Sequence, residues 1–85
     1  MRPYKIIKSI SKTANATAQD VKINYQTIFI TNAGAQPLYI AAEETATTDS
    51  FCIAAGATIP VPFTCETLSI LSNATTTIAS IMIVD

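Results

Sequence analysis

The density of β-branched residues is the feature of this chain that most restricts its fold. Thirteen of the 85 residues are Ile and thirteen are Thr. Two heavy atoms on Cβ limit χ1 and lower helix propensity, whereas the same side chains pack well on a pleated sheet. The sequence therefore predicts an all-β fold.

Short apolar segments recur along the chain, separated by polar turns that contain Gly, Asn and Ser. The predicted strands cover residues 20–30, whose alternation gives way to two apolar faces from Thr27 onward, and residues 38–42, 51–54, 59–65, 67–71 and 76–84, and residues 4–10 can supply a first strand. About seven short strands at spacings of about 8 to 12 residues are typical of a small β-sandwich or barrel. We expect a small single-domain β-sandwich, jelly-roll-like or immunoglobulin-like.

Two prolines predict where residues 59–65 lie in a sheet. Pro60 and Pro62 are two residues apart, so their missing N–H groups fall on the same side of an extended strand. That side cannot pair with another strand, whereas Ile59, Val61 and Phe63 can still bond on the other side. We expect an edge strand, with an irregular extended loop as the alternative.

The basic residues are confined to the start of the chain. All five of them lie within residues 1–22, whereas five of the six acidic residues lie within residues 26–85. We divide the chain into a basic N-terminal arm, residues 1–19, which can include a first strand, and a β-sandwich domain, residues 20–85. A short basic arm suits docking on an acidic partner surface. The predicted docking residues are Arg2, Lys5, Ile6, Ile7, Lys8, Ile10 and Lys12. The alternative is that residues 4–10 are simply the first strand of the sandwich.

The last strand is apolar on both faces. One face of a strand in a thin sandwich is core, so the second apolar face needs cover, which indicates self-association. The residues of the predicted oligomer interface are Ile78, Ile81, Met82, Ile83 and Val84.

The composition offers little for catalysis or metal binding. The chain has no His and only two Gly, so the usual acid–base pairs, zinc ligands and phosphate loops are missing. Glu43 and Glu44 are expected to be solvated loop charges. Cys65 lacks a neighbouring imidazole or cation to lower its pKa. We expect a protein that is not an enzyme and uses no cofactor or metal.

The two cysteines, Cys52 and Cys65, leave two possibilities open. A disulfide between neighbouring strands is geometrically possible, but in a reducing compartment two buried free thiols are the commoner outcome. The segment 1–12 lacks the continuous apolar stretch of a signal peptide, which predicts a protein made and kept in the cytoplasm of the cell that produces it. The apolar segment 78–84 is far shorter than the ~20 residues of a membrane-spanning helix.

A set of turn and strand motifs between residues 30 and 84 resembles those of small structural proteins of tailed-phage virions. These motifs are Thr31-Asn32-Ala33-Gly34, Pro37-Leu38-Tyr39-Ile40 and Ala55-Gly56-Ala57-Thr58-Ile59 with Pro60 and Phe63. The resemblance implies a capsid decoration or auxiliary protein, a β-sandwich that binds the shell as an oligomer, often a trimer. The expected partner is then a capsid or other virion protein, and the expected location is the virion.

Two other classes of function remain open. A carbohydrate-binding or receptor-binding module would share the sandwich, and Tyr4, Tyr25 and Tyr39 could supply a stacking surface, although Tyr25 has the alternation of a core residue. A nucleic-acid-binding barrel is suggested by the basic arm alone. The acidic body argues against it, so no direct binding of nucleic acid or membrane is expected.

Overall fold

A computed structural model describes residues 6–61, 64–73 and 75–84, and this part of the chain contains eight strands and no helix. The strands are β1 (Ile6–Ala14), β2 (Gln19–Lys22), β3 (Thr27–Asn32), β4 (Leu38–Ala42), β5 (Phe51–Ile53), β6 (Thr58–Pro60), β7 (Thr67–Ser72) and β8 (Thr77–Val84). The all-β prediction is confirmed. None of the described segments is a helix long and apolar enough to cross a bilayer.

The strands form two antiparallel four-stranded sheets, with the orders β1-β8-β3-β6 and β2-β7-β4-β5. The first strand pairs with the last, the second with the seventh, the third with the sixth, and the fourth with the fifth. This order is that of a long hairpin rolled into a sandwich, which is a jelly roll. The prediction of a small β-sandwich is confirmed.

The core lies between the two sheets and is filled mainly by isoleucines. In β8, residues alternate between buried and outward-facing positions up to Ile83, so Ala79, Ile81 and Ile83 point inward. The largest fully buried apolar side chains are Ile23, Ile28, Ile30, Leu38, Ile53, Leu68, Ile70 and Ile81. These β-branched and Leu side chains bury one face of each sheet, which stabilises the sandwich through the hydrophobic effect.

The strand β6 lies at an edge of its sheet, as the proline pattern predicted. Its side chains follow the expected alternation, because Ile59 packs against the core and Pro60 is exposed. The N–H of Val61 donates to the C=O of Ile28 at 3.0 Å, on the paired side. The strand is shorter than predicted, and Pro62 and Phe63 lie outside the described residues.

Tyr25 is not in the core, contrary to the alternation of residues 20–25. Strand β2 ends at Lys22, and the backbone is left-handed at Asn24 and Tyr25, with φ values of 53° and 61°. This turn rotates the Tyr25 side chain outward, where 60% of it is exposed. Ile23, by contrast, is fully buried although it lies beyond the strand.

The N-terminal arm enters the sandwich. Residues Ile6–Ala14 pair antiparallel with β8 from Val84 to Thr77, so the first strand allowed for within residues 1–19 is present as β1. The arm is therefore not a tether separate from the body over these residues. The predictions made for Arg2 and Lys5, and for the side chains of Ile6 and Ile7, lie outside the described residues.

A buried asparagine joins the two sheets at the crossing from β3 to β4. Asn32 is fully buried, and its Nδ2 donates to the C=O groups of Gln36 at 2.7 Å and Ile53 at 2.9 Å. Its Oδ1 accepts from the N–H of Gly34 at 3.2 Å and from Thr77 Oγ1 at 2.6 Å. A side-chain amide has four such bonds to make, and all four are made here.

Gly34 is required by this arrangement. A Cβ at that position would collide with Thr77 Oγ1 and would lie 2.8 Å from the N atom of Ile78. The sequence analysis treated residues 31–36 only as a turn and missed this centre. The signal available was the Asn-X-Gly spacing directly after an apolar strand.

Candidate protein-interaction surfaces

The outer face of the β1-β8-β3-β6 sheet carries no formal charge among the outward-facing side chains that the structure describes. We call this surface the uncharged face. Its members are Ser9, Ser11, Thr13, Thr27, Phe29, Thr31, Thr58, Pro60, Ile78, Ser80 and Met82. The strand register places these side chains in rows that run across the four strands.

One row consists of hydroxyl groups. The register aligns Ser11 with Ser80, Ser80 with Thr31, and Thr31 with Thr58. Thr31 Oγ1 and Thr58 Oγ1 are 2.7 Å apart and share a hydrogen bond. Cross-strand hydroxyl pairs of this kind stabilise a sheet modestly, and they can also bond to a partner or to water.

The neighbouring rows are more apolar. Met82 is aligned with Phe29 on one side and with Ser9 on the other, and Phe29 is aligned with Pro60. Met82 and Phe29 are half-buried, whereas Ile78, near the start of β8, is 42% exposed. Uncharged side chains of this kind are easier to cover than ionised ones, since no charge loses its hydration.

The structure divides the predicted oligomer interface between two sides of β8. Ile78 and Met82 lie on the uncharged face. Ile81 and Ile83 are buried in the core at 0% and 3% exposure, so they are unavailable to a partner, and Val84 is also buried, at 3%. The sequence could not separate these sets, because both alternating series of β8 are apolar.

Strand β1 places the described docking residues at one edge of the sandwich. Lys8, Ile10 and Lys12 share the side that faces the other sheet, where Ile10 is aligned with Ile81 and packs against the core. Lys8 is exposed and Lys12 is half-buried. Their long stems can lie along the sandwich while the ammonium groups reach water.

Acidic side chains cluster on and beside the β2-β7-β4-β5 sheet. Asp20, Glu43, Glu44, Thr45 and Thr67 line a shallow depression of about 290 Å³. The Glu43 backbone is left-handed, with a φ of 57°, and its carboxylate accepts from the N–H groups of Glu66 at 3.3 Å and Thr67 at 3.4 Å. Within the described residues, no group of His, Cys, Asp and Glu is arranged to hold a metal ion.

Both cysteines are free thiols. Cys65 is buried as expected, whereas Cys52 is exposed on the short edge strand β5, which corrects the prediction that both are buried. Burial, and secondarily the charge of Glu43, raises the pKa of the Cys65 thiol. A thiol with a raised pKa stays protonated near neutral pH and is a poor nucleophile.

Exposed aromatic side chains lie at both edges of the β2-β7-β4-β5 sheet. Tyr25 follows the end of β2, and Phe51 begins β5 with 61% of its side chain exposed. Tyr39, in the middle of β4, is half-buried, and Tyr4 lies outside the described residues. Phe51 also lines a second shallow depression, together with Ile40, Ala41, Ala42, Glu44 and Ser50.

Comparison of the chain with family models, with curated proteins and with solved structures found no match.

Proposed function

We propose that this chain is a non-enzymatic structural protein of a virus particle, a capsid decoration or auxiliary protein that binds the shell as a homo-oligomer, with a trimer favoured. The observation that carries the proposal is the uncharged face of the β1-β8-β3-β6 sheet. A sheet face whose described side chains carry no charge is suited to being covered by protein rather than by water.

The size of this face bears on the kind of assembly. Four strands about 4.8 Å apart, and a rise of about 3.3 Å for each of the eight residues of β8, give an area of about 500 Å² in projection. A stable interface of standard size covers about 800 Å² on each partner. Contact through this face alone is therefore weak, and contact with a shell adds what a stable assembly needs. A closed trimer also requires two different contact surfaces on each chain.

The fold is compatible with this role. Jelly rolls occur in viral capsid proteins and in lectins, among other groups. Fold alone does not assign function, so the weight lies on the surface and on the charge distribution. Lys8, Ile10 and Lys12 on β1 offer a second contact, with an acidic surface of the shell, and the predicted docking residues Arg2, Lys5, Ile6 and Ile7 precede them in the sequence.

The test is the mass of the chain in solution and on its particle. Native mass spectrometry at micromolar concentration should show a trimer of about 27 kDa, three times the 9.0 kDa of one chain, in equilibrium with the monomer. Ser80→Glu, which places a charge in the hydroxyl row, should shift the population toward monomer. Thr48→Glu adds the same charge on an exposed loop outside the face and should leave the mass unchanged. A monomer that also fails to sediment with purified virions would contradict the proposal.

A carbohydrate-binding or receptor-binding module is the second candidate, favoured by the exposure of Tyr25 and Phe51. Exposed aromatic rings stack on apolar faces of sugars and other ligands. Screening the chain against a glycan array tests this function. Binding that is lost in Tyr25→Ala or Phe51→Ala, but kept in Ser80→Glu, would favour the module over the capsid protein.

A further inference from the structure

The two sheets have four edge strands, β1, β6, β2 and β5, and β1 differs from the other three in its length. β5 and β6 have three residues each and β2 has four, whereas β1 has nine. β6 also contains Pro60, which has no N–H to offer. An open edge presents unpaired N–H and C=O groups to which a further strand can bind. Among the edge strands that the structure describes, only β1 is long enough to accept a further strand.

The part of β1 that is regular and open is its middle. The register with β8 shifts between Ile6 and Lys8, and such an irregularity interrupts pairing near the start of the strand. Near the other end, the C=O of Thr13 accepts from Gln19 Nε2 at 3.2 Å. Residues 8–12 remain, with Lys8, Ile10 and Lys12 on one side and two serines on the uncharged face.

The charges on this edge oppose pairing with a second copy of the same strand. An antiparallel pair of these segments centred on Ile10 would set Lys8 of each copy opposite Lys12 of the other. Shifting the register by two residues in either direction sets both lysines opposite uncharged residues, but it shortens the overlap within residues 8–12. Like charges directly opposite each other destabilise a sheet. In the fully overlapping register, the edge therefore favours a partner of opposite charge over a second copy of itself.

We propose that residues 8–12 of β1 bind an extended acidic segment of a partner protein by β-strand addition, with carboxylates four residues apart facing Lys8 and Lys12. Side chains four residues apart lie on the same face of a strand, so their spacing matches that of the two lysines. Backbone hydrogen bonds supply affinity and the charge pairs supply selectivity. The inference rests on the proposed docking role of Lys8, Ile10 and Lys12, and it specifies how they dock.

Lysines on an edge strand can also serve only to prevent aggregation. Under that interpretation the edge rejects every added strand. Under the proposal it rejects a basic strand and accepts an acidic one. The two interpretations therefore differ in their response to a peptide of chosen charge.

The experiment uses the full chain labelled with ¹⁵N and two capped peptides of alternating Thr and Val. One peptide carries two Glu four residues apart, and the other carries Lys at the same places. We expect the Glu peptide to bind about tenfold more tightly or better, since two charge pairs change sign between the peptides. Amides within residues 8–12 should shift and become protected from hydrogen exchange. Binding should weaken in 1 M salt.

The double variant Lys8→Glu with Lys12→Glu should reverse the preference between the two peptides. Lys22→Glu, at an exposed position of β2, is the matched control and should leave the preference between the peptides unchanged. Should the double variant not fold, Lys8→Gln with Lys12→Gln should abolish the preference. Absence of binding, or protection at other strands, would overturn the proposal.

These outcomes are independent of the solution mass and of sedimentation with virions. A chain that sediments with virions but ignores both peptides would keep the proposed function and lose strand addition. A chain that binds the Glu peptide at β1 but ignores virions would keep strand addition and lose the capsid role.

Discussion

The two outer sides of the sandwich differ in charge and in cover. The uncharged face presents a row of hydroxyl groups and a few apolar side chains on its outer surface. The other side has Asp20, Lys22 and Glu66 on or beside its strands, with Lys22 Nζ 4.0 Å from Glu66 Oε2. There the loop 43–50 covers part of the sheet, and the N–H of the buried Ala46 donates to Ser69 Oγ at 2.9 Å.

This difference indicates which side is suited to contact with protein. Charged side chains lose favourable hydration when a partner covers them, so a surface that carries them is suited to remaining exposed to solvent. The two inner faces, in contrast, are both mainly apolar, with Ile in both sheets and Leu in the β2-β7-β4-β5 sheet. Burial of the two inner faces therefore stabilises the jelly roll, whereas the difference between the two outer surfaces determines which of them is suited to binding a partner protein.

The largest expected effect is the loss of β1 from the uncharged face. Deleting residues 1–12 removes most of the nine-residue strand that pairs with β8 and exposes the inward-facing row Ala79, Ile81 and Ile83 at a new edge. We expect a loss comparable to the whole stability of a small domain, about 5 kcal/mol or more, and no cooperative unfolding transition. Circular dichroism during heating measures it.

Deleting only residues 1–5 is the control, because β1 begins at Ile6. This shorter variant should melt cooperatively near the temperature of the full chain. If the longer deletion also melts cooperatively, β1 is separable from the domain, and the uncharged face is a three-stranded surface with an added arm.

The second prediction concerns the buried amide that joins the two sheets. Asn32→Ala removes four hydrogen bonds and leaves the C=O groups of Gln36 and Ile53 without this donor. Leaving buried polar groups unpaired typically costs about 1 to 3 kcal/mol, and a network tends toward the upper value. Urea denaturation should show a loss of about 3 kcal/mol.

Thr48→Ala, on an exposed loop, should change stability by less than about 0.5 kcal/mol. Equal losses in the two variants would mean that the Asn32 bonds contribute nothing specific. The contacts of the uncharged face should survive in Asn32→Ala below its unfolding midpoint. Loss of self-association there would link the buried amide to the outer surface.

Local patterns in the sequence were enough to predict most strands and not enough to predict their order. Residues 38–42 were predicted with the bounds that β4 has, because Pro37 and a polar loop delimit them. The prolines likewise placed β6 at an edge. Pairing of β1 with β8 joins the two ends of the chain, and nothing in either segment specifies so distant a partner.

The errors have local causes. Tyr25 continued an alternation that a left-handed turn ends, and Ile81 and Ile83 could not be distinguished from Ile78 and Met82 by hydropathy. The uncharged face depends on the register of four strands, since its rows are assembled from residues far apart in sequence. Composition showed only that charge is scarce over most of the chain.

The smallest expected effect concerns the charged side, where Glu43 helps to raise the pKa of the Cys65 thiol, with burial as the larger cause. In the unfolded chain this thiol ionises near pH 8.5, whereas the folded chain holds its proton to higher pH. The stabilisation is therefore complete below about pH 8 and is lost as the pH rises toward the folded pKa, with a slope of at most about 1.4 kcal/mol per pH unit.

Urea midpoints between pH 7 and 9.5 should fall in the native chain and in Cys52→Ser. They should fall less in Cys65→Ala, which is less stable at every pH by about 1 to 3 kcal/mol through lost burial. Glu43→Gln should lie between the two. Identical slopes in Cys65→Ala and Cys52→Ser would show that other groups cause the alkaline loss and that the charged side does not act on this thiol.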